Sequence, residues 1–370
     1  MGNINVSTIS PDEAIEAIKA VYQTRRSVML WGPPGNGKSM SVQRAAEELD
    51  IAFLDVRMST KTAADTGGLP ALDHETKQTR FYLPDYLPVD TGRHAAKGIL
   101  FFDELTTCQD DQALATVYGI LQERRAPNGQ AILPGWMIVG AGNRTCDGAI
   151  SRDLGTALNN RLIHLQVEAN TQQWLRWAAF QKLHPAVIGY IRAFPENLQP
   201  TEQDLAEDNV AFPTPRSWHM VSDVMYAIKD ARLRTKTIPG AIGQTIGTDF
   251  LTKAEELEQY ITVDELLKTP KEQLLGKLPK TINGLWMLAY GLVGAIEADD
   301  TARTGRILDI CEAITEIKPD SGRSLPTQEI SDLAYTLVTE RAFKFSQNCA
   351  THPGWDAWAK RSNRIARRAA

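Results

Sequence analysis

Apolar positions along the chain follow two different rhythms. Up to about residue 168, short and largely apolar runs alternate with stretches of helical spacing. The runs are Ser27 to Trp31, Ile51 to Val56, Gly98 to Phe102, Trp136 to Ala141 and Leu162 to Val167. Short buried strands that alternate with helices predict a parallel α/β sheet with helices on both faces. Each crossover should be right-handed. A helix is predicted from Ser10 to Tyr22, with Ser10 as cap, Pro11 in the first turn and Asp12 and Glu13 behind it. A second is predicted from Lys38 to Leu49. From Thr171 onward the chain reads as helix after helix, broken near Pro195, Pro200, Pro213, Pro239 and Pro270, without a strand signal. Three regions follow: an α/β core over 1–168, a small helical domain over 169–260, and a helical C-terminal region over 261–370. In the last, Ile282 to Ile296, Thr304 to Ile317 and Ile330 to Phe345 keep helical apolar spacing.

One connection carries chemistry. Between the first predicted strand and its helix lies Gly32-Pro33-Pro34-Gly35-Asn36-Gly37-Lys38-Ser39, which matches G-x-x-x-x-G-K-[ST] at every fixed position. Glycines allow the backbone to bend closely around an anion, and the helix start aims N–H groups at it. The motif therefore predicts a triphosphate site in which Lys38 meets the β- and γ-phosphates and the Ser39 hydroxyl ligates Mg²⁺. Gly32, Pro34, Gly35, Asn36, Gly37 and Met40 complete the nucleotide contacts.

A second motif is Gly98-Ile99-Leu100-Phe101-Phe102-Asp103-Glu104, a buried strand that ends in two carboxylates. Ligands of open α/β sheets sit at the carboxyl ends of the strands. Asp103 is placed to hold Mg²⁺ with Ser39. Glu104 is the candidate base, or positioner, for an attacking water.

With both motifs present the chain resembles AAA+ ATPases of the P-loop class, and within them the MoxR family, over roughly residues 10 to 260. Two further segments carry the resemblance. Ile138-Val139-Gly140-Ala141-Gly142-Asn143-Arg144 resembles the sensor 1 strand, which implies that Asn143 orients the water. Phe212-Pro213-Thr214-Pro215-Arg216-Ser217-Trp218 resembles the sensor 2 segment of a helical lid, which implies that Arg216 touches the γ-phosphate. The stretch Asn159-Asn160-Arg161-Leu162 resembles the segment that bears the family's trans-acting arginine. Arg161 is the candidate, with Arg152 as the alternative. Residues Asp65 to Pro88 resemble the family's insert after the second strand. Asn128-Gly129 predicts the two-residue turn of a hairpin ahead of sensor 1.

The resemblance implies a hexameric ring that hydrolyses ATP with Mg²⁺ and acts as a chaperone, remodelling or assembling a protein client. The implied partner carries a von Willebrand factor A domain. A nucleic-acid motor of restriction or helicase type is the alternative.

Composition bears on that choice. A net charge of −5 argues against nucleic acid as the partner. A basic end (Lys360, Arg361, Arg364, Arg367, Arg368) and the pair Arg124-Arg125 are the local exceptions. The four cysteines, Cys108, Cys146, Cys311 and Cys349, match neither a zinc site nor a disulfide framework, and so predict a reducing, cytoplasmic setting. No apolar run is long enough to span a bilayer and no signal peptide is evident. About 110 residues after the lid match no family pattern.

Overall fold

The computed structural model describes residues 6–144, 160–201, 204, 209–258, 262–317 and 326–369. The described residues form eight strands: β1 (Thr8–Ile9), β2 (Val28–Trp31), β3 (Ala52–Arg57), β4 (Leu69–Asp73), β5 (Gln78–Tyr82), β6 (Lys97–Asp103), β7 (Gly135–Gly142) and β8 (Ile163–Val167). Six of them pair in parallel in the order β1-β8-β2-β7-β6-β3, the parallel pairing that the alternation of strands and helices predicts. The two-residue β1 is an addition to the predicted set.

Helices α1 (Pro11–Tyr22) and α2 (Lys38–Glu48) supply one buried layer, and α4 (Asp111–Glu123) supplies another; α3 (Ala63–Gly67) is a single short turn of helix. The strands feed both layers by alternation. Val28, Leu30, Ile99, Phe101 and Val139 pack with Ile15, Ile18, Val42 and Ala45 of α1 and α2. Their strand neighbours Met29, Leu100, Phe102 and Ile138 pack with Leu114, Val117 and Leu121 of α4. Period-two alternation thus sends adjacent residues of one strand into two separate cores. Burying each such Phe or Leu side chain stabilises the fold by about 1.5–3 kcal/mol. The capping of α1 is as predicted: Ser10 accepts from the Glu13 N–H, and the Glu13 carboxylate accepts from the Ser10 N–H.

Strands β4 and β5 form a separate antiparallel hairpin inside the predicted insert. The second hairpin differs in detail from the sequence expectation. Arg125 and Ala131 make one isolated bridge. The turn centres on Pro127-Asn128, closed by the Gly129 N–H donating to the Ala126 carbonyl at 2.8 Å, and Gly129 follows at φ +86°. Pro127 presets the first turn position at φ near −65°, which moves the turn one residue ahead of a two-residue Asn-Gly turn.

The chain divides into two compact units, the first running to Asn170 and the second beginning at Thr171. Within the second, α5 (Thr171–Phe180), α6 (Pro185–Ala193), α7 (Pro215–Ala227), α8 (Ala231–Thr237), α9 (Pro239–Ile242) and α10 (Gln244–Glu258) are followed by α11 (Val263–Lys268) and α12 (Lys271–Lys277). Then come α13 (Ile282–Gly294), α14 (Thr301–Ala313), α15 (Thr327–Lys344) and α16 (Trp355–Ala369). Helix α13 is the apolar axle, burying Leu285, Trp286, Leu288, Tyr290, Leu292 and Val293. The buried Arg341 of α15 donates to the Ala179 and Phe180 carbonyls, closing the end of α5. Helices α5, α6, α13 and α15 therefore pack together. No helix among the described residues is long and apolar enough to cross a membrane.

Candidate nucleotide site

The phosphate loop sits where β2 gives way to α2. Gly35 and Gly37 adopt φ +83° and +84°, the left-handed region that a Cβ disfavours, and Gly37 is the N-cap of α2. It offers no capping side chain, so the first-turn N–H groups of α2 point out of the helix start. At Gly32 a Cβ would fall 2.3 Å from the Val167 carbonyl oxygen, so the strand exit tolerates only glycine. Asn36 and Lys38 are buried, Pro34 is half-buried, and Met40 is exposed on the first turn of the helix.

Lys38 folds its ammonium back over the loop. Nζ donates to the carbonyls of Gly32 at 2.5 Å and Pro33 at 2.9 Å, and to Asn143 Oδ1 at 3.2 Å. The phosphate loop and the predicted sensor residue therefore meet at one cation, although 105 positions separate them.

The acid pair completes the site. β6 lies between β7 and β3, and Asp103 ends it. Ser39 Oγ donates to Asp103 Oδ2 at 2.6 Å, and the Glu104 N–H donates to Asp103 Oδ1 at 2.8 Å. Ser39 and Asp103 thus present hard oxygen donors side by side, the chemistry that suits Mg²⁺. Glu104 takes φ +56°, a left-handed conformation that a non-glycine residue adopts only under constraint from its surroundings. The bend separates the two neighbouring carboxylates: Asp103 faces the loop, and Glu104 turns towards the end of β3. There the Ser59 hydroxyl donates to Glu104 Oε2, and Arg57 Nε stands 3.8 Å from Oε1. Asp55 lies on the same strand. Partial desolvation of its carboxyl raises its pKa above the usual value, helped by the charges of Asp103 and Glu104 and opposed by Arg57.

Lys38, Ser39, Asp103, Glu104 and Asn143 therefore converge at the carboxyl edge of the sheet. Arg161 does not join them. It precedes β8, whose Ile163 pairs with Val28 at the start of β2. At ~3.3 Å per residue it stands roughly 20 Å from the level of Gly32, beyond the reach of one side chain. It is exposed and donates to Gln122 Oε1 at 2.8 Å. Arg216 belongs to the second unit, exposed on the first turn of α7. That turn is fixed by Pro215 and by the reciprocal bonds of Thr214 and Ser217. Arg152 lies outside the described residues.

Sequence reasoning missed Ser59, Arg57 and Thr106. Arg57 was findable, because pairing β3 beside β6 sets it opposite Asp103. Thr106, which accepts the Asn143 N–H at 2.9 Å, gives no sequence signal.

The comparison with protein families agrees with this geometry. Residues 28–162 match the family model described as the ATPase family associated with various cellular activities (AAA). No curated protein matches the chain. Among solved structures, a Cytophaga hutchinsonii protein provisionally assigned as an ATPase is similar at 12% identity and a TM-score of 0.33, covering 89% of this chain and 81% of that one. The Thermotoga maritima RuvB Holliday junction branch migration motor is similar at 16% identity and a TM-score of 0.35, covering 78% of this chain and 80% of that one. Scores this low carry no argument about substrate or partner. The family match and the site together make residues 28–162 an AAA ATPase domain on a P-loop fold, and the chain an ATPase.

Proposed function

We propose that this chain, an ATPase by its AAA domain, works as a ring of MoxR type that remodels or assembles a protein client bearing a von Willebrand factor A domain. The observation that carries the ring is the split between Arg161 and the phosphate site. Five groups of the site gather at the carboxyl edge of one sheet, while Arg161 stands at the opposite edge and is exposed. An arginine so placed serves the site of a neighbouring subunit, where it would neutralise charge on the transferred phosphoryl group.

Within one subunit the roles follow from position. The N–H groups of the α2 start and the Lys38 ammonium bind the phosphates, with Lys38 exchanging loop carbonyls for phosphate oxygens. Ser39 and Asp103 would hold Mg²⁺, which supplies charge neutralisation at the β- and γ-phosphates. Glu104 takes the proton of the attacking water or orients it, and Asn143 positions that water. Arg216 reports the nucleotide state to the helical unit. The β4–β5 hairpin, which exposes Leu69, Leu72, Phe81 and Tyr82, supports a surface that meets a client.

The test uses Glu104→Gln with ATP and Mg²⁺. Sedimentation should give a closed ring, and turnover of the wild type should rise with an adhesion-domain protein. A monomer under these conditions contradicts the ring. Turnover that rises with DNA or RNA instead, and loses that rise at high salt, supports the nucleic-acid motor.

A further inference from the structure

The segment after Glu104 and the end of β7 fit together like a key and a slot. Leu105 and Thr106, in the single turn Leu105–Thr107, are wholly buried. Each faces a glycine of β7. A Cβ at Gly140 would lie 2.6 Å from Leu105 Cδ1, and one at Gly142 would lie 2.6 Å from Thr106 Cγ2 and 2.9 Å from its Oγ1. Gly140 and Gly142 are two apart, so they open the same face of the strand. Thr106 Oγ1 then accepts the N–H of Asn143, the residue that follows the slot, at 2.9 Å. The Asn143 side chain in turn accepts from Lys38 at 3.2 Å. A continuous path thus runs from the Glu104 turn, through one hydroxyl, to the sensor amide and the phosphate-binding lysine.

We propose that Thr106 is a positioning residue for ATP hydrolysis, its hydroxyl oxygen holding the Asn143 backbone in register with the turn that carries Glu104. The inference rests on the ATPase reading and deepens it. Two groups that must act on one water molecule come from different strands, and small errors between them are expensive in rate. The backbone ladder sets the register of β6 with β7 only as far as Phe102 opposite Gly140, short of Glu104 and Asn143. A hydrogen bond from Asn143 N to a residue two positions beyond Glu104 fixes the remaining freedom. Thr106 touches no phosphate group in this scheme, so its loss should act on turnover and spare nucleotide affinity.

The experiment compares Thr106→Val, which keeps the shape and removes the acceptor, with Thr106→Ser, which keeps the acceptor. Thr106→Ala removes the hydroxyl without a second methyl and stands in if the Val variant does not fold. For Val we expect kcat to fall about tenfold with KM for ATP within about twofold, and for Ser both within about twofold of the wild type. Amide exchange across residues 137–144 should rise in Val and not in Ser. In an Asn143→Ala background the Val change should lower kcat by less than about twofold, since the group it positions is gone. Wild-type kcat in Val, or an equal fall with and without Asn143, overturns the inference. A wild type without turnover would defeat the ATPase reading instead. Exchange would then still judge Thr106, because unchanged exchange in Val overturns its role.

Discussion

The carboxyl edge of the sheet and the β4–β5 hairpin differ in almost every physical respect, though both belong to the first unit. At the sheet edge, charged groups are buried and held: Lys38 is 8% exposed, Asp103 is 7% exposed, and each has named partners at hydrogen-bond distance. In the hairpin, apolar groups are exposed: Leu72 and Tyr82 are each 73% exposed, on opposite faces of a two-stranded ribbon. An isolated two-stranded hairpin is marginal in water, and one that exposes Leu and Tyr gains little from its own burial. The difference teaches where rigidity is needed. Chemistry on a triphosphate needs groups fixed to fractions of an ångström. The client-facing role proposed for the hairpin would need apolar area left open.

Substitutions at the two regions should therefore separate cleanly, and the largest effect is expected at Lys38. Lys38→Ala removes the one ammonium at the loop and its bonds to the Gly32 and Pro33 carbonyls. ATP affinity measured by titration should fall by roughly 100-fold or more, the equivalent of ~3 kcal/mol of charge-assisted bonding. Normal affinity would place the nucleotide elsewhere.

Arg161→Ala comes next. Nucleotide affinity should stay within a few-fold, while turnover falls by about 10³, the scale of a finger contributed in trans. Mixing this variant with Lys38→Ala should restore part of the activity, because some interfaces then combine an intact lysine with an intact arginine. If no mixing ratio restores activity, Arg161 does not complete a neighbour's site.

The smallest intrinsic effect is predicted for the hairpin. Leu72→Ser with Tyr82→Ser should leave unstimulated kcat within about twofold and stability within about 0.5 kcal/mol, as expected for exposed positions. The stimulation of turnover by a client should drop. A large loss of basal turnover would mean that the hairpin supports the site directly, and the contrast between the regions would vanish.

The two regions were also unequally legible in the sequence. The sheet was legible because short, largely apolar runs alternate with helical stretches, and the loop and acid pair were readable because their spacing is set by the phosphate they must fit. Strand β1 was not readable: Thr8 and Ile9 are too few to show a period. The β4–β5 hairpin escaped for another reason. Both of its faces are exposed, so no alternation of apolar and polar positions marks it, and the turn from Asp73 to Gln78 lacks an Asn-Gly or Asp-Gly pair. Ser59 and Thr106 reach the site only through the tertiary pairing of β3 with β6 and of the Leu105–Thr107 turn with β7. Arg161 was legible as a candidate, but its distance from the loop of its own chain could be read only from the register of β8 with β2.

If the carboxyl edge of this sheet hydrolyses ATP as proposed, Glu104 acts in the chemical step. Single-turnover hydrolysis by Glu104→Gln beside the wild type, with ATP affinity measured on the same samples, tests it most directly. Affinity should stay unchanged within a few-fold while the rate of hydrolysis falls by roughly 100-fold or more, the scale set by losing a positioned general base. Hydrolysis at the wild-type rate by that variant would contradict this role.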